Sequence, residues 1–134
     1  MNEPADIEAI RRLKAQYCYA VDDGRADDIA DLFAEHAQCD LESFGGKLQG
    51  RENIRAFYRT LLAQRIPAIH SLSNPLITVD GDHATGRWYL IVATTRGAET
   101  SPLPVIACYH DRYVRERGNW RIAEMRLETL HRNL

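Results

Sequence analysis

Apolar residues recur at spacings of three and four along the first part of the chain. From Asp6 onward, Ile7, Ile10, Leu13, Tyr17 and Val21 fall on one stripe, the pattern of an amphipathic helix with one buried face. Asp6 is placed to cap its start, and Asp23-Gly24 to end it. A second, shorter helix is expected over Asp27–Ala34, burying Ile29, Leu32 and Phe33. Cys39-Asp40-Leu41 then reads as a short strand and Gly45-Gly46 as a hairpin turn. Gly50 precedes a third helix over Arg51–Gln64, with Ile54, Phe57, Tyr58, Leu61 and Leu62 on its apolar side, and Pro67 stops it.

Beyond Pro67 the chain reads as sheet. Ile69–Val79 is a strand interrupted near Asn74-Pro75, where proline removes a ladder donor and predicts a bulge or bend. Asp80-Gly81-Asp82 turns the chain into a long strand, His83–Thr95. A loop holding Gly97, Pro102 and Pro104 leads to a third strand, Val105–Arg115. Arg117-Gly118-Asn119 turns again into Trp120–Thr129. Long antiparallel strands after a helical segment predict an α+β fold, with helices packed on one face of a curved, mainly antiparallel sheet. A sheet curled around the first helix would enclose a cone with an apolar cavity.

Composition narrows the partners. The 134 residues are expected to form a single domain, 1–134. The net charge of −2, with basic residues spread out, gives no reason to expect nucleic acid or an anionic membrane. No apolar run approaches the roughly 20 residues that span a bilayer, and the acidic start Met1–Asp6 lacks a signal-peptide pattern, so a cytoplasmic location is expected. Cys18, Cys39 and Cys108 are odd in number and form no C-x-x-C spacing, which reads as buried free thiols. The five histidines show no metal spacing, and neither Gly-x-Gly-x-x-Gly nor a P-loop is present. No metal and no cofactor are expected, and Ser71 and Ser73 lack a nucleophile-elbow context.

The candidate chemistry rests on Asp22, at the foot of the first helix, and His70, at the mouth of a strand. A carboxylate that orients an imidazole makes a general acid/base pair. Asp22 sits at the edge of the apolar stripe, where it reads either as a cavity carboxylate or as a solvated helix-end acid. His70 shares strand parity with Leu72 and is expected to point inward, as a base or as a satisfied core histidine. Tyr17, in the middle of the stripe, is either core packing or a donor to a substrate carbonyl. Asn74, Tyr109, Trp88, Phe57 and Tyr58 are further candidates for a substrate-binding wall, each equally readable as structure. His110-Asp111 is a competing pair, but adjacent strand residues face opposite sides of a sheet.

The order of motifs resembles the SnoaL-like branch of the nuclear-transport-factor-2-like superfamily. It is carried by Ile7-Glu8-Ala9-Ile10 through Tyr17 and Asp22-Asp23-Gly24, then Leu32-Phe33-Ala34, Gly50 and His70-Ser71-Leu72-Ser73-Asn74. Asp80-Gly81-Asp82-His83-Ala84, Gly86-Arg87-Trp88 and Tyr113-Val114 to Ile122 complete the set. The resemblance implies a conical α+β barrel, a cystatin-like roll. It also implies kinship with scytalone dehydratase, bile-acid 7α-dehydratase and the lindane dehydrochlorinase, which eliminate water or chloride with a His–Asp dyad. On this chain the dyad falls on Asp22 and His70, and the tyrosine of the bile-acid enzyme on Tyr17. The second carboxylate of that enzyme would fall near Val92, and a second histidine of scytalone dehydratase near Thr94, so neither substrate carries over.

The resemblance implies a cofactor-independent lyase of the dehydratase type. Its substrate would be a small apolar oxygenated ring compound: a polyketide, terpenoid or steroid-like hydroxyketone. The same dyad could serve a ketosteroid-isomerase-like isomerase, and the same cone a non-catalytic ligand-binding or scaffold module. Apolar residues on both parities of Tyr89–Val92 predict a homodimer or homotrimer.

Overall fold

A computed structural model describes residues 2–64, 67–94 and 105–131. Helix α1 spans Glu3–Asp23, α2 Ala26–Asp31 and α3 Arg51–Ala63. The strands are β1 (Phe33–Asp40), β2 (Lys47–Gln49), β3 (Ala68–Asp80), β4 (His83–Thr94), β5 (Val105–Glu116) and β6 (Asn119–His131). They form one curved sheet in the order β2-β1-β6-β5-β4-β3, open at β2 and β3, with helices packed against one side. Only the β1–β6 pair is parallel among the described strands. This is the expected α+β cone with a mainly antiparallel sheet, although the sheet is not closed.

Helix α1 starts earlier than the apolar stripe indicated. Asn2 caps it, its side chain accepting from the Ala5 N–H at 3.1 Å, and Pro4 is tolerated in a first turn that needs no internal donor. Asp6 is no cap. It is buried, accepting from the Arg115 guanidinium and from Trp120 Nε1 at 3.2 Å.

The second helix is shorter than expected. It stops at Asp31, and Phe33–Asp40, expected to be helical at its start, is a strand. Helix α2 has only six residues, too few to hold itself. Parallel pairing with β6, which sets Phe33 opposite Ile122 and Cys39 opposite Met125, decides the segment instead. Gly45-Gly46 lies in the connection from β1 to β2, preceded by a short 3₁₀ turn over Glu42–Phe44.

Strand β3 runs through Asn74-Pro75 with a register shift between Ser73 and Leu76, the expected bulge, and Asn74 takes φ 54°. On β3, His70 and Leu72 are half-buried toward the helices while Ile69, Ser71 and Leu76 are exposed. On β4 the same alternation buries Trp88 and Leu90 and exposes Tyr89 and Ile91. The exposed apolar residues are thus of one parity, not both. The loop holding Gly97, Pro102 and Pro104, and Thr95 before it, lie outside the described residues. Among the described residues no helix is long and apolar enough to cross a membrane.

Candidate functional site

The site begins at the end of α1. Gly24, at φ 76°, closes the helix, its N–H and that of Arg25 returning to the Val21 and Ala20 carbonyls. Asp22 therefore sits in the last turn, where the negative end of the helix dipole disfavours a carboxylate by about 0.3–1 kcal/mol, and no basic residue of that turn compensates. Compensation comes from β3. The backbone N–H of His70 donates to both carboxylate oxygens, at 3.2 and 3.1 Å, and His70 Nδ1 lies 2.6 Å from Asp22 Oδ1. That N–H is available because β3 is an edge strand.

One carboxylate thus ties the helix to the sheet and orients the ring. With Nδ1–H donated to Asp22, the lone pair on Nε2 is the free one. The side chains are 19% and 16% exposed, shielded but reachable.

The dyad lines an open cavity of about 480 Å³ between α1 and β3, within the usual range for small-molecule sites. One wall is Glu8, Arg11, Arg12, Ala15 and Tyr19 of α1; the other is Ile69–Leu72 with Trp88. The apolar cavity expected from sequence therefore carries charged residues on its α1 wall, because that wall is the face of α1 that turns away from the core. The interior of the cone is filled by Tyr17, Phe33, Tyr58, Tyr109 and Met125.

Of the candidates read from sequence, the structure brings Asp22, His70 and Trp88 to this cavity. Tyr17 lies in the core, its hydroxyl 2.6 Å from that of Tyr58 and its ring edge-on to Phe33, Tyr58 and Tyr109. Burial holds the Tyr17, Tyr58 and Tyr109 hydroxyls well above the ordinary phenol pKa, so they stay protonated. Phe57 packs on Tyr58 from α3, with ring centroids 5.1 Å apart. Asn74 is exposed at the bulge, beside a separate depression on β3 and β4.

Sequence reading missed Lys14. It lies on the apolar stripe, between Ile10 and Tyr17, and that position is the signal that it is buried. Its Nζ is 3.0 Å from Asp111 Oδ2, donates to Met125 Sδ at 3.1 Å, and stands 3.6 Å from the Tyr109 ring centre. Asp111 Oδ2 also accepts from Tyr113 Oη at 2.7 Å, and Tyr113 Oη accepts from Trp88 Nε1 at 3.0 Å. A chain of polar contacts therefore runs from the buried ion pair to the cavity wall. Burial raises the Asp111 carboxyl above the usual range, against the pull of Lys14 and Tyr113.

His110 and Asp111 face opposite sides, as adjacent strand residues must. His110 Nε2 is 2.9 Å from Glu128 Oε1. Cys108 Sγ, His110 and Glu128 have potential ligand atoms within 4.8 Å of one another. The Arg87 guanidinium, however, donates to Cys108 Sγ at 3.3 Å, and a fixed cation on the thiol disfavours a metal ion there.

Comparison with known proteins agrees with this architecture. A SnoaL-like domain model matches residues 2–126. The uncharacterised protein Rv2910c of Mycobacterium tuberculosis is 30% identical over 131 residues, 95% of this chain and 86% of that one. An NTF2-like protein with a cystatin-like fold from Novosphingobium aromaticivorans superposes with a TM-score of 0.78 at 25% identity, covering 94% of this chain and 82% of that one. A provisionally named scytalone dehydratase from the same organism has a TM-score of 0.82 at 21% identity, covering 96% and 87%. At that identity the likeness is one of fold.

Proposed function

The chain belongs to the SnoaL-like domain family, and on that premise we propose that it is a cofactor-independent lyase of the dehydratase type. The observation that carries the reading is the 2.6 Å contact between His70 Nδ1 and Asp22 Oδ1 at the wall of a cavity. The substrate is an oxygenated ring compound with a hydroxyl β to a carbonyl. His70 Nε2 removes the proton next to the carbonyl, and the imidazolium so formed protonates the departing hydroxyl, so that water leaves and the ring is restored to neutral. Asp22 stays ionised, fixes the tautomer and supports the imidazolium. The fold shared with a provisionally named scytalone dehydratase supports this reading.

The oxyanion role expected of Tyr17 does not enter the proposal, because its hydroxyl is bonded to Tyr58 and its ring is buried. The filled interior of the cone favours a second reading, a non-catalytic ligand-binding or scaffold module in which Asp22 and His70 are structural. As part of the proposal, the exposed apolar face carrying Ile69, Leu76, Tyr89 and Ile91 mediates a homodimer or homotrimer.

The test is a screen of cyclic β-hydroxyketones for loss of water by the parent protein, His70→Gln and Asp22→Asn. Removing a general base costs about 10²–10⁴-fold in rate, and each variant is expected to lose that much while remaining folded. Turnover that survives in both variants excludes the dyad. Ligand binding with no turnover of any hydroxyketone supports the binding module.

A further inference from the structure

One wall of the dyad cavity is a face of α1, with Glu8, Arg12, Ala15, Tyr19 and Asp22 spaced by three and four and Arg11 beside Arg12. The face has an electrical direction. At its C-terminal end Asp22 is committed to His70. At its N-terminal end Arg11 lies 4.0 Å from Glu8, and Arg12 has no ion-pair partner among the described residues. Ten residues separate Arg12 from Asp22, so their Cα atoms stand about 15 Å apart at 1.5 Å per residue. The surface between is largely apolar, made of Ala15, Leu72 and the Trp88 ring.

We propose that the substrate is an elongated amphipathic carboxylate whose anionic end docks on Arg12 and whose reacting ring reaches His70. This rests on the dyad as the reacting centre. An anion is attracted to the N-terminal end, where Arg11 and Arg12 outnumber Glu8, and repelled by the Asp22 carboxylate, so the field of the cavity favours one orientation of the molecule. A guanidinium presents paired donors that match a carboxylate, giving position as well as charge. The separation also sets a size. A single small ring cannot touch both ends, whereas a fused-ring acid or a ring with an acyl side chain can. Arg12 is then a specificity residue, remote from the chemistry but fixing which carbon lies under His70 Nε2.

The experiment measures fluorescence binding of pyrenebutyrate, a fused-ring carboxylate, against its uncharged methyl ester near neutral pH. The parent is expected to bind the acid about five- to tenfold more tightly than the ester, the scale of a charge-assisted hydrogen bond weakened by partial solvent exposure. Arg12→Gln is expected to bring the two probes to parity, chiefly by weakening binding of the acid. Arg12→Lys should keep part of the preference, and added salt should weaken it. Equal binding by the parent, no binding of the acid, or a preference that survives Arg12→Gln overturns the proposal. Neither probe carries a leaving hydroxyl, so this result is independent of the lyase reading. Dyad-dependent elimination without charge preference sinks only the anion site. Charge preference without elimination sinks only the chemistry.

Discussion

Lys14 Nζ and Asp111 Oδ2 stand 3.0 Å apart with neither side chain exposed, a full ion pair built into the aromatic interior of the cone. Lys14 comes from the helix and Asp111 from the middle of the sheet, so the pair links the two layers. Taking both charges out of water is costly, and their attraction offsets only part of that cost, and only while both are present. Asp111 Oδ1 accepts no hydrogen bond among the described residues.

Lys14→Met should therefore be severe, because it strands a buried carboxylate. A loss of about 3–5 kcal/mol is expected, read by urea unfolding. Adding Asp111→Asn to Lys14→Met should recover part of it. A loss below about 1 kcal/mol, the worth of an exposed pair, would show that the pair is solvated in solution.

The same pair predicts a pH dependence. Burial raises the Asp111 carboxyl in the folded state, so folding favours its protonated form. Its contribution is greatest below the unfolded value of about 3.9 and is lost as pH rises through the raised folded value. The stability of the parent relative to Asp111→Asn should accordingly fall as pH rises through that window. A relative stability that rises there would reverse the assigned direction.

Tyr17 and Tyr58 share one short hydroxyl contact of 2.6 Å in the core. Tyr17→Phe or Tyr58→Phe alone leaves a buried hydroxyl without its partner and should cost about 1–3 kcal/mol. The double variant should cost less than the sum of the two, since the Tyr17–Tyr58 contact is lost only once, while the Tyr109 hydroxyl, which also bonds Tyr17, loses that partner whenever Tyr17 is changed. Additive losses in a double-mutant cycle would mean that the hydroxyls do not depend on each other.

Gly86 lies under the Tyr113 ring. A Cβ added there would stand 2.7 Å from a ring carbon and 2.8 Å from the hydroxyl, and Tyr113 is buried between Trp88 and Asp111. Gly86→Ala should cost about 1–3 kcal/mol by overpacking and perturb Trp88 fluorescence. An unchanged unfolding curve would show that the ring can move aside.

Cys18 and Cys39 should resist thiol reagents. Burial pushes each thiol up to about 12, and the thiolate is the reacting form. Near neutral pH the native protein is expected to leave both unmodified by iodoacetamide, with modification following denaturation. Mass spectrometry locates the labelled residues, and rapid native labelling of Cys18, which also lines the dyad cavity, would show that it is more accessible than its burial implies.

Local pattern determined much of this protein. The stripe of Ile10, Leu13, Tyr17 and Val21 determined α1, because a helix repeats its buried face every 3.6 residues. Turns at Asp80-Gly81-Asp82 and Arg117-Gly118-Asn119 set the strand boundaries, and Asn74-Pro75 the bulge. Asp22 and His70 were legible as chemistry because each is a polar residue beside apolar ones at the end of an element. Tertiary structure decided the rest. Phe33 is a strand residue because β6 lies beside it, and no local propensity encodes that pairing. Tyr17 is core because Tyr58 and Tyr109 arrive from α3 and β5, and Lys14 is tolerated in the interior because Asp111 waits there from β5. Arg12 lines the cavity because β3 comes to rest against the outer edge of α1. Each of these is a contact between residues far apart in sequence. A one-dimensional pattern shows which residues must be buried or paired, and only the fold chooses their partners.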